Sequence, residues 1–79
     1  MIEVKRNMRT GGYYCYFMIG EDEYYADLCI TPDHGNECMI FKAEKGKVVD
    51  WEELYVRQGI PITIQSLVQC VEEFSKPNE

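Results

Sequence analysis

The sequence predicts an α+β fold, in which a four-stranded antiparallel β-meander of strand order 1-2-3-4 carries one C-terminal α-helix on one face. Two observations support this prediction. Four segments within residues 2–43 alternate apolar and polar side chains with the period of two that is typical of half-buried strands. Near the C terminus, apolar residues recur at helical spacing instead. One helix covers one face of a sheet, so the second face is open unless another segment or a partner covers it.

The first predicted strand opens the chain. Its alternating core-facing set is Ile2, Val4, Arg6 and Met8. A two-residue turn at Thr10-Gly11 joins this strand to the next, and we therefore expect Met8 to lie beside Tyr13 on the core face. Arg6 is the charged member of the set. We expect it near an edge of the sheet, with its aliphatic stem buried and its head group in solvent.

Residues 12–30 are predicted to form a hairpin around an acidic turn at residues 20–23, because Gly, Glu and Asp are typical of turns. The expected register pairs Ile19 with Tyr24 and Tyr16 with Asp27. Alternation then defines a core face made of Tyr13, Cys15, Phe17, Ile19, Tyr24, Ala26, Leu28 and Ile30. The opposite face mixes aromatic and polar side chains, namely Tyr14, Tyr16, Met18, Tyr25, Asp27 and Cys29.

The fourth predicted strand covers residues 37–43 and follows a loop at residues 31–36, which is rich in turn formers. A loop of this length pairs Leu28 with Met39. We therefore expect Phe41 in the core beneath the helix, together with Phe17, Leu28 and Leu67. The side chains expected on the opposite face are Cys38, Ile40 and Lys42.

The connection between the sheet and the helix contains a polar turn at residues 44–47. Asp50 and Glu53 stand at capping-box spacing, which predicts a short helical turn after Asp50. Trp51 and Tyr55 are expected to fix this connection to the core, with a role as interface anchors as the alternative. A further alternative is that residues 44–62 fold across the second sheet face.

The C-terminal helix is predicted to begin after Thr63, which has an N-cap side chain, and to end near Ser75. Its apolar stripe consists of Ile64, Leu67, Val68, Val71 and Phe74. This stripe is expected to pack on the core face of the sheet.

Length and charge restrict the class of protein. We expect residues 1–79 to form a single domain with a thin core. The net charge of −6 disfavours general binding to nucleic acid or to an anionic membrane. The N terminus has no apolar run of the kind found in signal peptides, and no segment approaches the roughly 20 apolar residues of a membrane span. We therefore expect a cytoplasmic protein with four reduced cysteines.

Catalytic and metal-binding chemistry has little support in the sequence. His34 and Cys38, with Cys29 opposite and Asp33 as a fourth ligand, are the only arrangement that suggests zinc. This spacing is common by chance, so no metal site and no cofactor are predicted. A cysteine nucleophile needs a partner base, and neither Cys29 nor Cys38 follows a nucleophile-type turn. We therefore expect a protein that is not an enzyme and has no catalytic residues.

The aromatic sheet face away from the helix is the predicted interaction surface, because an exposed patch of this kind usually marks an interface. The partner-binding residues predicted there are Tyr14, Tyr16, Met18, Tyr25, Asp27 and Lys42. A protein partner or a homodimer is the expected occupant. The profile of a small acidic interaction module is typical of accessory and inhibitor proteins of phages and other mobile elements. The alternative is a single-stranded nucleic-acid binder that stacks bases on the sheet aromatics.

The predicted order of elements, a four-stranded meander followed by a helix, resembles that of the PC4-like single-stranded DNA-binding proteins. Residues 59–63 also resemble the segment that enters the final helix of that family. The resemblance implies the nucleic-acid alternative. The chain departs from the family in lacking its dense basic strands, and membership is not inferred.

Overall fold

The computed structural model describes residues 2–76, which form a five-stranded antiparallel sheet in the order β1-β2-β3-β4-β5 and one C-terminal helix. The elements are β1 (Lys5–Arg6), β2 (Tyr13–Ile19), β3 (Asp22–Thr31), β4 (Gly35–Glu44), β5 (Lys47–Gln58) and α1 (Ile64–Ser75). The predicted α+β class, with an antiparallel sheet and a C-terminal helix, is confirmed. The predicted number of four strands is wrong, because the connection before the helix forms a fifth.

The hairpin of β2 and β3 has a shorter turn than predicted. Only residues 20–21 lie between the paired ends of the strands, and Gly20 has the positive φ of 61° that such a tight turn requires. Phe17 therefore lies opposite Tyr24, two residues away from the predicted register. An even shift preserves the two faces, so the predicted division of side chains in this hairpin is correct. Ile30 also keeps its predicted face by register, but it is 63% exposed, so its predicted place in the core is wrong.

The turn between β3 and β4 reverses the predicted faces of β4. Thr31 still pairs with Gly35, so that the loop contains residues 32–34 alone. Gly35 closes it with a φ of 70°, a backbone conformation that glycine adopts without strain. Leu28 consequently lies opposite Cys38, one residue away from the predicted register. An odd shift moves every side chain of β4 to the other face.

As a result, the β4 residues that face the helix are those predicted for the opposite face, and the reverse. Cys38 and Ile40 are fully buried on the helix side, where the sequence predicted Met39 and Phe41. Phe41 is also buried, but on the face away from the helix. The predicted placement of Phe41 beneath the helix is wrong, as is the predicted pairing of Cys29 with Cys38.

The first strand is much shorter than predicted, because Asn7 starts a turn. The Oδ1 atom of Asn7 accepts hydrogen bonds from the backbone N–H groups of Arg9 at 3.0 Å and Thr10 at 3.3 Å. These bonds lift the chain out of the sheet, so Met8 is 87% exposed and its predicted core position is wrong. Ile2 and Val4 do pack against the core, as predicted.

Strand β5 replaces the predicted helical turn. It pairs with β4 except at two register shifts. Residues 51–54 lie opposite Phe41 alone and form a bulge, and Val49 is an extra residue between the pairs Lys42–Asp50 and Ala43–Val48. Inside the bulge, Asp50 Oδ1 accepts a hydrogen bond from the N–H group of Glu52 at 3.0 Å. The capping predicted for Asp50 is therefore a local turn within a strand. The connection extends the sheet and does not cross its second face.

The helix α1 closes the core from one side of the sheet. Thr63 caps it as predicted, because its Oγ1 atom accepts a hydrogen bond from the N–H group of Ser66 at 3.1 Å. The buried core consists of Cys15, Phe17, Ala26, Leu28, Cys38, Ile40, Ile60, Leu67, Cys70 and Val71. Ile64 is exposed, and Cys70 takes a core position that the predicted stripe omitted. In the part of the chain that the structure describes, no helix has the length and apolar character needed to span a bilayer.

Candidate interaction face

The sheet face opposite α1, called the open face below, is formed by alternate residues of β2 to β5. It carries Tyr14, Tyr16, Met18, Tyr25, Asp27, Cys29, Glu37, Met39, Phe41 and Val56, with Trp51 from the bulge. The strand register arranges most of these side chains in two rows across the sheet. One row is almost wholly aromatic and the other contains a carboxylate.

The aromatic row crosses three strands and ends at the bulge of β5. The ring centroids of Tyr16 and Tyr25 are 5.0 Å apart, those of Tyr25 and Phe41 are 6.3 Å apart, and those of Phe41 and Trp51 are 5.1 Å apart. Each distance is within the range of favourable aromatic pairs. At the centre of the row Phe41 is buried and Tyr25 is half-buried, whereas Trp51 is 71% and Tyr16 is 36% exposed. The row is therefore ordered by its own contacts and accessible at both ends.

The second row places Asp27 between Tyr14 on β2 and Met39 on β4. The predicted neighbour Tyr16 lies opposite Tyr25 instead. The Oδ1 atom of Asp27 is buried and has no hydrogen-bond partner among residues 2–76. Burial raises the pKa of Asp27 above its ordinary value, and the positive charge of Arg9 opposes this rise. The carboxylate is thus poorly solvated and lacks a donor.

The pKa values of the two neighbouring side chains on β3, Tyr25 and Cys29, are also raised. Burial raises the pKa of Tyr25, and the charge of Asp27 raises it further. Burial likewise raises the pKa of Cys29, with additional contributions from Asp27 and Glu37. Since a nucleophilic thiol must be a thiolate, this environment makes Cys29 a poor nucleophile.

Five of the six residues predicted to bind a partner lie together on the open face: Tyr14, Tyr16, Met18, Tyr25 and Asp27. Lys42 does not, because the one-residue register difference puts it on the helix side. There its Nζ atom lies 5.4 Å from the centroid of the Tyr24 ring and 3.8 Å from Oδ1 of Asp22. Lys5, which pairs with Tyr14, remains the lysine nearest to this cluster in the strand register.

The sequence prediction missed the part of the open face that β4 and β5 supply. Met39, Phe41 and Val56 belong to it by register, and Trp51 joins it through the ring of Phe41. The information that could have located β4 correctly was Gly35, since a glycine at the end of a three-residue loop favours a hairpin. The role of Trp51 depends on the bulge and has no comparable local pattern.

The arrangement considered for zinc does not form. Cys38 faces the helix, whereas Cys29 lies opposite Glu37 on the open face. Within residues 2–76, no group of three or more metal-ligand side chains comes together. His34 instead places Nδ1 3.6 Å from Oε2 of Glu37, a buried carboxylate that also accepts a 2.9 Å hydrogen bond from Gln58. The bond from Gln58 joins the end of β5 to β4.

The four cysteines are free thiols. Cys15, Cys38 and Cys70 are buried in the core between sheet and helix. Burial raises the pKa of Cys15 to about 11, and burial beside Cys70 raises that of Cys38 as well. These thiols therefore act as small apolar side chains.

Comparison with protein-family models, with curated proteins and with solved structures gave no match for this chain. The geometry of the open face is therefore the basis for assigning a function.

Proposed function

We propose that this chain is a small, acidic, non-enzymatic interaction module that binds a basic surface of a partner protein through its open face. The observation that carries the proposal is the aromatic row, which is packed around the buried Phe41 and whose two ends, Tyr16 and Trp51, are accessible. An accessory or inhibitor protein of a phage or another mobile element has this profile, and we propose that class for its biological role.

The composition of the open face supports a protein partner. Tyrosine and tryptophan are enriched among the residues that dominate binding energy at protein interfaces. They supply a large contact area while losing few side-chain rotamers. Met18, which is 59% exposed at one end of the face, adds an adaptable apolar surface. Four exposed apolar or aromatic side chains, Tyr16, Met18, Trp51 and Val56, lie on this face, and a patch of this kind is typical of an interface.

The charge of the chain supports a basic partner. The net charge is −6, and acidic residues also surround one edge of the open face. A depression of about 420 Å³ at that edge is lined by Met18, Glu21, Asp22, Glu23, Lys42, Ala43, Glu44 and Lys45. Four carboxylates against two lysines give this edge a negative potential, which attracts a basic surface and accelerates association.

The proposal is tested with a double variant, Tyr16→Glu/Met18→Glu, which adds charge at two exposed positions of the open face. The control is Ile30→Glu, because Ile30 is about as exposed as Met18 but belongs to the other face. Wild-type protein is used to select ligands from a random peptide display library. Selected peptides are then synthesised and titrated against all three proteins by calorimetry.

We expect the selected peptides to be rich in arginine and lysine. They should bind the wild type and Ile30→Glu alike, and the double variant at least about tenfold more weakly. Equal affinity for all three proteins would show that the interface lies elsewhere. Light scattering tests whether a second copy of the chain covers the open face. If the wild type is a dimer and the double variant is a monomer, the face serves self-association. Oligonucleotide binding that weakens steeply with salt would favour the nucleic-acid alternative.

A further inference from the structure

We propose that Asp27 and the rings of Tyr14, Tyr16 and Tyr25 form a receptor for one arginine side chain of the partner protein. This inference rests on the proposed function and names the group that the open face recognises. It is carried by two independent features of the same cluster, an unsatisfied carboxylate oxygen and three mutually inclined aromatic rings.

The carboxylate lacks a donor within the described chain. Its lateral neighbours are the ring of Tyr14 and the thioether of Met39, and the next residues along β3 on the same face are Tyr25 and Cys29. No ion pair within residues 2–76 involves Asp27, and Arg9 in the loop before β2 influences it only from a longer distance. A buried carboxylate oxygen without a donor is costly. The Asp27 side chain as a whole is only half-buried, so a turn of the carboxylate about the Cβ–Cγ bond brings this oxygen to the N–H groups of a ligand.

The aromatic rings supply the second half of the receptor. The centroid of Tyr14 lies 6.4 Å from that of Tyr16, with the two planes at 90°, and 5.9 Å from that of Tyr25, with the planes at 45°. Tyr16 and Tyr25 are themselves 5.0 Å apart and inclined at 45°. The three rings thus form one cluster of inclined planes, in which Tyr14 lies opposite Asp27 and Tyr25 is the next residue along β3 on the same face. A cation placed next to Asp27 is attracted by the ring faces as well as by the carboxylate.

Arginine fits this combination better than lysine does. The guanidinium group is planar, stacks on aromatic rings and donates hydrogen bonds to a carboxylate in the plane of the group. It is also less strongly hydrated than an ammonium group, so its transfer to a half-buried site costs less. The chain's own Arg57 is already paired with Glu73 at 3.7 Å on the helix side. The overall negative charge favours an arginine from a basic partner.

The direct test uses three capped peptides, acetyl-Gly-X-Gly-amide, in which X is arginine, lysine or citrulline. Citrulline keeps the shape of arginine and removes its charge. Binding to isotopically labelled protein is followed by NMR, through the chemical shifts of the residues around Asp27. The variants are Asp27→Asn, which keeps the shape of the side chain, and Tyr16→Leu, which removes one ring. The matched control is Asp33→Asn, because Asp33 is exposed in the loop between β3 and β4.

We expect the arginine peptide to shift the resonances of Tyr14, Tyr25 and Asp27, with lysine binding more weakly and citrulline not at all. Asp27→Asn should weaken arginine binding by about tenfold or more, since a charge-assisted hydrogen bond is lost. Tyr16→Leu should also weaken it, and Asp33→Asn should not. Equal binding of arginine and citrulline, or equal binding by wild type and Asp27→Asn, would overturn the proposal.

The basic peptides selected with the wild-type protein distinguish the proposed interface on the open face from the proposed arginine receptor. If they bind Asp27→Asn as tightly as wild type but lose affinity for Tyr16→Glu/Met18→Glu, the open face is the interface and the arginine receptor is excluded. If they bind every variant equally, both proposals are wrong. Loss of affinity in Asp27→Asn, with a well-dispersed NMR spectrum that shows the variant to be folded, supports both.

Discussion

The hydroxyl group of Tyr55 donates a 2.6 Å hydrogen bond to Oε1 of Glu73, which joins the edge strand β5 to the helix α1. Arg57 approaches the other oxygen of the same carboxylate at 3.7 Å, and the Tyr55 ring lies edge-on to Phe74 with 6.1 Å between the centroids. Strand β5 has a sheet neighbour on one side only. These contacts therefore hold the strand that carries the bulge and its exposed Trp51.

Removing the Tyr55 hydroxyl should weaken this attachment. We expect Tyr55→Phe to lower the free energy of unfolding by about 0.5–1.5 kcal/mol, because the ring contact with Phe74 remains while the hydrogen bond is lost. The control is Tyr13→Phe, since the Tyr13 hydroxyl has no hydrogen-bond partner among residues 2–76. Urea unfolding monitored by circular dichroism measures both variants. Equal stability of the two variants would mean that water replaces the bond to Glu73 at no cost.

The two faces of the sheet should respond independently to small changes in packing. Phe17 packs beneath the helix against Tyr24 and Phe74, whereas Phe41 packs on the open face against Tyr25 and Trp51. We expect Phe17→Leu and Phe41→Leu each to cost about 1–1.5 kcal/mol, since volume is lost at a buried site. Because the two rings lie on opposite faces of the sheet and share no aromatic neighbour among residues 2–76, the costs should add to within about 0.5 kcal/mol in the double variant.

A second double-mutant cycle, between two residues that are in contact, provides the contrast to the pair Phe17 and Phe41. Phe17→Leu combined with Phe74→Leu alters two rings whose centroids are 6.1 Å apart, so a coupling of about 0.5 kcal/mol or more is expected. Additivity in this second cycle, together with coupling between Phe17 and Phe41, would contradict the division of the core into two sides.

The correct parts of the sequence prediction are those that survive a small error in turn length. The faces of β2 and β3 were predicted correctly although the register was wrong, because the turn at Gly20 changed it by an even number of residues. This explains why the cluster of Tyr14, Tyr16, Tyr25 and Asp27 was identified from alternation alone. Lys42 was assigned wrongly because Gly35 changed the next register by one residue.

The fifth strand could not be predicted from local sequence. Asp50 and Glu53 carry the spacing of a helix cap, and that pattern outweighed the β-branched and aromatic residues around them. Residues 47–58 form a strand because pairing with the edge of β4 satisfies backbone groups that β4 would otherwise expose. This stabilisation comes from a strand that precedes β5 in the chain and is absent from the local pattern of residues 47–58.

The orphaned carboxylate makes stability depend on pH in a defined direction. Burial raises the pKa of Asp27 above its ordinary value of 3.8, so the folded state binds its proton more tightly than the unfolded state does. Ionisation therefore favours unfolding. The loss of folding stability caused by this ionisation is absent below about pH 3.8 and grows as the pH rises towards the folded-state pKa. Tyr14, Tyr25, Cys29 and Glu37 face this group from the strands, and the charge of Arg9 reduces the cost without removing it.

We therefore expect Asp27→Asn to melt at a higher temperature than wild type at pH 7 and at nearly the same temperature at pH 3. Thermal melts followed by circular dichroism between these pH values measure the difference. Asp33→Asn, at an exposed loop position, serves as the control and should follow the wild type throughout. A variant that is less stable than wild type at pH 7 would show that the Asp27 carboxylate has a donor in solution.

The rates at which the four thiols react with a disulfide reagent should reflect how deeply each cysteine is buried. Cys15, Cys38 and Cys70 lie beneath the helix, whereas Cys29, at 8% exposed, lies nearest to solvent on the open face. We expect an aromatic disulfide reagent at pH 8 to modify Cys29 first and the other three only as the protein unfolds, because buried thiols with raised pKa values react slowly. In denaturant, all four should react at once. Early modification of Cys70 in the native protein would indicate that α1 detaches readily from the sheet.

Trp51 should contribute more to partner binding than to folding. It is the one tryptophan of the chain, and its ring meets Phe41 edge-on at 5.1 Å while 71% of the residue remains exposed. Because little of its surface is buried, Trp51→Ala should lower the free energy of unfolding by about 1 kcal/mol or less. The same change removes one end of the aromatic row. We expect it to weaken binding of the selected basic peptides by about tenfold or more, the effect of losing an interface anchor.

Tryptophan fluorescence gives an independent measurement of the same prediction. A peptide that covers the open face should shift the Trp51 emission to shorter wavelength and protect it from quenching by acrylamide, since the exposed ring then leaves water. Tyr13→Phe serves as the control, because Tyr13 packs against the core on the helix side and should leave the peptide-induced shift unchanged. Peptide binding without any change in Trp51 emission would place the partner at the β2 end of the row, near Tyr16. The bulge of β5 would then serve only to pack Trp51 against Phe41 and close the edge of the sheet.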